Sequence, residues 1–170
     1  MKKNLILLCI MAIFCIIPVT AQNNKKIDPT QKEMKIQQAK SKRILDAIHN
    51  KKYEISVISA SPMNGKTIYL TSSYSVKISN DSVYMELPYF GVAYSASYGG
   101  GEGGIKAKNK YKDYELRIRK QGKYTSTFTV RGNEDMYKVS IDMWPSTGNA
   151  YISVQPNNKQ GISYTGEVTW

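Results

Sequence analysis

Three patterns of apolar and polar positions follow one another along this chain. Leu5 to Val19 is an almost unbroken apolar run of about fifteen residues, too short for a membrane span of roughly 20 and within the range of a secretory core segment. Around Asp28-Pro29 the pattern becomes helical. Asp28 is placed to cap, Pro29 suits the first helical position, and Glu33 falls in the early turns. The apolar face that follows is thin at Met34, Gln38 and Ser41 and firmer at Ile44, Leu45 and Ile48. This predicts a helix over roughly 30–50 whose second half docks on the rest of the protein, with a mobile tail before it.

From Tyr53 the period drops to two. Ile55 and Val57 alternate with Glu54 and Ser56, and Tyr74, Val76 and Ile78 with Ser75, Lys77 and Ser79. The same alternation recurs at Val83 to Leu87, Tyr114 to Ile118, Tyr124 to Val130, Tyr137 to Met143 and Ala150 to Val154. One dry face per strand is the mark of an antiparallel sheet packed on a core. Turn-forming residues separate the runs: Pro62 to Gly65, Asn80-Asp81, Gln121-Gly122, Gly132-Asn133, Pro145 to Gly148 and Asn157 to Gly161. Links this short make hairpins, so the expected topology is an up-and-down meander of eight to ten strands. Closure into a barrel would remove both exposed edges. A two-sheet sandwich is the alternative. The expected class is all-β, an antiparallel meander closed into a β-barrel and preceded by an N-terminal α-helix.

The compartment follows from the first segment. Lys2 and Lys3 precede the apolar run, and Val19-Thr20-Ala21 closes it with a signal-peptidase pattern. Cleavage is expected near Ala21-Gln22, with an uncleaved anchor as the alternative. The chain then divides into 1–21 signal peptide, 22–52 tail and basic helix, and 53–170 barrel. The product is expected to be periplasmic or secreted, with no transmembrane span after cleavage. Both cysteines, Cys9 and Cys15, lie in the signal segment, and neither has the small residues before it that a lipoprotein signal needs. The remaining 149 residues carry no thiol, so the core alone must hold the domain. The formal charge of the whole chain is +11. It is concentrated in residues 22–53, where nine basic side chains face three acidic ones.

Three blocks stand apart from the strand pattern: Leu87-Pro88-Tyr89-Phe90-Gly91, Gly100-Gly101-Glu102-Gly103-Gly104-Ile105, and Gln160-Gly161-Ile162-Ser163-Tyr164-Thr165-Gly166. Together they resemble the family catalogued as domain of unknown function 4251, small exported proteins of one Gram-negative phylum. The resemblance covers residues 42–170, and the first two blocks are its specific part. It implies a lipocalin-like β-barrel. It implies no activity and hands over no catalytic residue.

Candidate chemistry is sparse. Gly99 to Gly104 satisfies a G-x-G-x-x-G pattern, but no helix follows to present its N-terminus to a phosphate. Glu102 among these glycines would either orient a ligand over a barrel mouth or simply fix its own loop. Tyr89, Tyr94, Tyr98 and Tyr111 surround the glycine blocks, and with Phe90 they suggest an aromatic lip, although tyrosine ordinarily packs on half-buried sheets. The candidate ligand-binding set is therefore Tyr89, Phe90, Tyr94, Tyr98 and Glu102, for a small apolar or amphipathic molecule.

His49 is the sole histidine, so a His-based zinc site or a Ser-His-Asp triad lacks its parts. No cofactor is expected. The carboxylates Glu86, Glu102, Asp142 and Glu167 lie on different strands, leaving a carboxylate hydrolase as a distant third reading. Nucleic acid is not an expected partner, because no recognition fold is visible. The second reading is an envelope interaction or structural protein acting through its outer surface and basic helix.

Overall fold

The period-two pattern becomes eight antiparallel strands, and the 3.6-residue pattern becomes one helix. The computed structural model describes residues 29–94 and 104–170. Residues 1–28, where the signal peptide and mobile tail are expected, lie outside the described residues, as do Tyr98 and Glu102. The chain divides into Met1–Lys32 and Glu33–Trp170, and the architecture described here belongs to the second unit. Helix α1 runs over Pro29–His49. The strands are β1 (Lys52–Pro62), β2 (Ile68–Ser79), β3 (Ser82–Pro88), β4 (Gly104–Ile118), β5 (Tyr124–Arg131), β6 (Met136–Trp144), β7 (Asn149–Pro156) and β8 (Ile162–Thr169), with a short 3₁₀ turn, Lys120–Gly122, before β5.

Each strand pairs with its sequence neighbours, and β8 returns to β1 to close the barrel. Ile55 shows the closure: it stands opposite Val76 of β2 on one side and Val168 of β8 on the other. The sandwich alternative is thereby excluded. Closure leaves no strand with a wholly unpaired edge. Two irregularities bend the wall. One lies between Val57 and Ser59 in β1 and the other between Lys112 and Glu115 in β4, where Asp113 takes a left-handed φ of 56°. The β4 bulge resets the alternation, so Tyr111 and Tyr114, three residues apart, join one inner aromatic group with Phe128 at centroid distances of 5.1 and 5.3 Å from Tyr111. Tyr111 therefore belongs to the barrel interior rather than to the lip expected of it. Ile118, the last apolar position of the same run, is exposed at the hairpin tip.

The helix closes one end. Ile44 and Ile48 are fully buried in the barrel core, and Ala47 joins them, as expected for the firmer half of the helical face. Gln37 donates through Nε2 to the Ser146 carbonyl at 2.6 Å on the β6–β7 link. Lys51, at φ 51°, then turns the chain sharply into β1.

Inside, the barrel is filled by its own side chains. Ile55, Ala60, Val76, Val83, Ile105, Val139, Ile141, Met143, Ile152, Val154 and Tyr164 have no accessible surface at all. A residue lining a hollow wide enough for water would retain some, so these side chains touch one another and not a void. Small barrels are either filled this way or hold one small ligand. The interior therefore leaves no room for a small ligand, and the expected ligand site at the open end by the 89–105 loops would have to lie outside it.

Candidate functional site

At the end opposite α1, the links 62–68, 131–136 and 156–162 converge with the described start of the β3–β4 link, residues 88–94. The segment after β3 folds across this end and joins the β7–β8 link. Gln160 donates its amide to the Val92 carbonyl at 3.0 Å, and Tyr94 donates to the Asn158 carbonyl at 2.9 Å. Ala93 and Lys159 form an isolated antiparallel bridge between them.

Tyr89 is the clasp. Its hydroxyl lies 3.0 Å from the carbonyls of both Val92 and Gln160 and shares its one proton between them. Gly91 is required beside it, because a Cβ there would strike the Tyr89 ring and hydroxyl. Tyr164, buried within β8, donates to the Pro88 carbonyl at 2.7 Å. The first and last sequence blocks thus meet in space, and each supplies one phenol to the other's backbone.

The β5–β6 link adds charge. Asp135, buried, accepts from the Met136 amide at 2.7 Å, the Asn158 amide at 2.8 Å and Asn158 Nδ2 at 3.3 Å. This satisfies two backbone donors on two links that would otherwise be stranded. Lys159 is also buried; its Nζ is 3.0 Å from Glu134 Oε2 and 5.5 Å from the centre of the Tyr89 ring. Gly132 has room for no Cβ, since the Tyr137 ring and the Lys106 carbonyl occupy that space. The phenols here hold their protons. Burial pushes Tyr137 up to about 12, with Asp135 and Glu134 adding to the effect. Burial likewise raises Tyr164 far above the ordinary tyrosine value and raises Tyr89 above it. Tyr89 and Tyr164 are thus neutral donors at physiological pH, which suits clasps.

A cleft of about 170 Å³ opens here, lined by Gly104, Lys106, Asn133, Glu134 and Tyr137. A neighbouring hollow of about 290 Å³ shares Lys106 and Asn133 with it. Both fall below the roughly 300–1,000 Å³ of ordinary ligand pockets.

The expected binding set does not assemble as an aromatic lip in the described residues. Tyr89 is turned inward as a clasp, while Phe90 and Tyr94 are exposed, Tyr94 to 68%. Tyr98 and Glu102 lie outside the described residues. Of the expected carboxylates, Glu86 lies 3.5 Å from Lys106, and Asp142 binds Lys123 at 2.8 Å and the Thr125 hydroxyl at 2.6 Å. His49 meets the Tyr124 ring edge-on at 5.7 Å. Asp135 and Lys159 escaped sequence reasoning. The turn Gly132 to Asp135 signals a link, but nothing local reveals that its last carboxylate binds a link some 23 residues away.

A family model described as "Domain of unknown function (DUF4251)" matches residues 32–168. The crystal structure of a DUF4251 family protein from Bacteroides eggerthii is similar to this chain at a TM-score of 0.60 and 19% identity, covering 78% of this chain and 90% of that one. At that identity the likeness speaks for the fold alone. No curated protein matches the sequence.

Proposed function

We propose that this chain, which belongs to the DUF4251 family, is an exported, non-catalytic binding module that meets a component of the bacterial envelope through the outside of its barrel. The observation that carries this reading is the filled interior. With Tyr164, Ile141, Met143 and Ile152 packed to zero exposure, a ligand-carrier role loses its container, and recognition falls to the surface. The laced end supports the same reading, because its phenols and buried charges are spent on holding links together rather than on facing a cleft. Export rests on the signal-like pattern of residues 1–21. Among the described residues no helix is long and apolar enough to cross a membrane.

The test is to isolate the protein gently from its host's envelope after brief crosslinking, and to compare native with denaturing mass spectra of the uncrosslinked form. The expected result is a reproducible crosslinked envelope component together with a bare native mass. A small molecule released on denaturation would overturn the reading and return function to an internal ligand.

A further inference from the structure

The barrel treats its cations in two ways. Lys77, Lys106, Lys110, Arg117, Lys123 and Lys159 each lie within 4.0 Å of a carboxylate. Lys108 lies over the Tyr84 ring, 5.2 Å from its centre. Lys112, Arg131 and Lys138 have no such partner among the described residues, and they sit together. In the ladder, Lys112 of β4 stands opposite Thr129 of β5, and Thr129 stands opposite Lys138 of β6. Cross-strand neighbours have Cβ atoms about 5 Å apart, so the two lysines flank the Thr129 hydroxyl from both sides. Arg131, two residues along β5, points to the same outer face.

Lys112, Thr129 and Arg131 line a recess of about 570 Å³ together with Asn109, Lys110 and Met136, and Lys138 stands beside it, opposite Thr129. Its lining holds three cations and no carboxylate. Like charges this close repel across less than a Debye length or two, a cost the sheet relieves elsewhere by pairing. An anion seated over Thr129 would relieve it here, accepting from two ammonium groups, a guanidinium and a hydroxyl.

The adjoining surface says what carries the anion. The next rung of the barrel's outer face reads Thr127, Ser140, Ser153, Ser163 and Ser61, in continuous register across five strands. That row offers hydroxyls to a polyol. An acyl chain finds little beside it, because the one apolar side chain lining the recess, Met136, is half-buried.

We propose that the outer face of β4–β5–β6 binds an acidic polysaccharide, with one sulfate or phosphate ester seated among Lys112, Arg131 and Lys138 over Thr129 and neighbouring sugars laid along the hydroxyl rung. This rests on the outer-surface reading above and names its face and ligand class.

The test measures binding of a heparin-derived octasaccharide to the full chain and to two triple variants of equal charge loss. One carries Lys112→Gln, Arg131→Gln and Lys138→Gln on the sheet. The other carries Lys35→Gln, Lys42→Gln and Arg43→Gln on α1, all three exposed. The sheet triple is expected to lose affinity roughly tenfold and to flatten the salt dependence by about 2 in log–log slope, as removal of ion contacts requires. The helix triple is expected to stay near the parent. Amide shift mapping on the unmodified chain, independent of any variant's folding, is expected to centre on residues 109–112, 129–131 and 136–138. Equal loss in both triples, shifts centred elsewhere, or no binding of the octasaccharide would overturn the proposal. So would binding confined to vesicles of anionic phospholipid. None of these would restore an internal ligand, so the outer-surface reading would stand or fall on its own experiment.

Discussion

Tyr164 donates its buried phenol to the Pro88 carbonyl at 2.7 Å across 76 residues of sequence. This single bond ties β8 to the end of β3, strands that are not neighbours in the sheet. It therefore spans the barrel rather than adding to a ladder. It also explains why the two blocks carrying Pro88 and Tyr164 occur together, since neither buried polar atom is satisfied without the other.

Tyr164→Phe keeps the ring and removes the donor, leaving the Pro88 carbonyl buried and unpaired. The expected cost is about 1–3 kcal/mol, read as a lower urea midpoint with an unchanged m-value. An unchanged midpoint would mean that water replaces the phenol, and that this end is wetter than its burial indicates.

At the opposite end, Ile48→Ala is expected to cost about 2–5 kcal/mol. Ile48 is fully buried beside Ile44 in the barrel core, so truncation leaves a cavity under α1. Chemical denaturation is the measurement, and a loss below about 1 kcal/mol would show that the helix does not seal this end.

Two glycines are expected to resist substitution for different reasons. At Gly166 a Cβ would run into the Ser56 carbonyl, where β8 passes β1 next to its bulge. Gly166→Ala is expected to cost more than about 3 kcal/mol or to block folding. Gly122 has nothing within 4 Å but holds φ +67°, so Gly122→Ala is expected to cost only about 1–2 kcal/mol, and Gly122→Asn less. Paired thermal melts check both, and equal losses at the two sites would refute the distinction.

These contrasts also mark what was legible in the sequence. The strands were, because a half-buried antiparallel strand must alternate, and Val139, Ile141 and Met143 do so without interruption. The helix was legible too, down to the half that docks. The β4 bulge was not: Tyr111 and Tyr114 have the wrong parity to share a face, and only Asp113 in a left-handed conformation lets them. Nor was the lacing of the far end. Tyr89 has the same composition-level signature whether it lines a mouth or clasps a loop. The choice was made by the Val92 and Gln160 carbonyls, and the second of these lies 71 residues away. The register of distant strands decides which carbonyl meets which hydroxyl, and short-range patterns do not carry it.

Alkaline pH is expected to open the barrel from its phenols. Tyr137 titrates at about 12 in the fold against 10.0 for a free tyrosine, chiefly because burial disfavours the phenolate. Burial raises Tyr53, Tyr89, Tyr114 and Tyr164 as well. A folded value above the unfolded one means that the unfolded chain releases its proton first. The stabilisation is therefore complete below pH 10 and drains away as pH climbs from 10 to 12, by on the order of 2–3 kcal/mol for Tyr137 alone. Unfolding midpoints in urea should be nearly flat from pH 7 to 9 and fall steeply above 10. Phenolate absorbance near 295 nm from the interior rings should lag behind pH 10 and rise together with unfolding. Tyr137→Phe removes the titrating group and should flatten the fall. If the variant loses stability along the same curve as the parent, Tyr137 is not what limits the barrel at high pH.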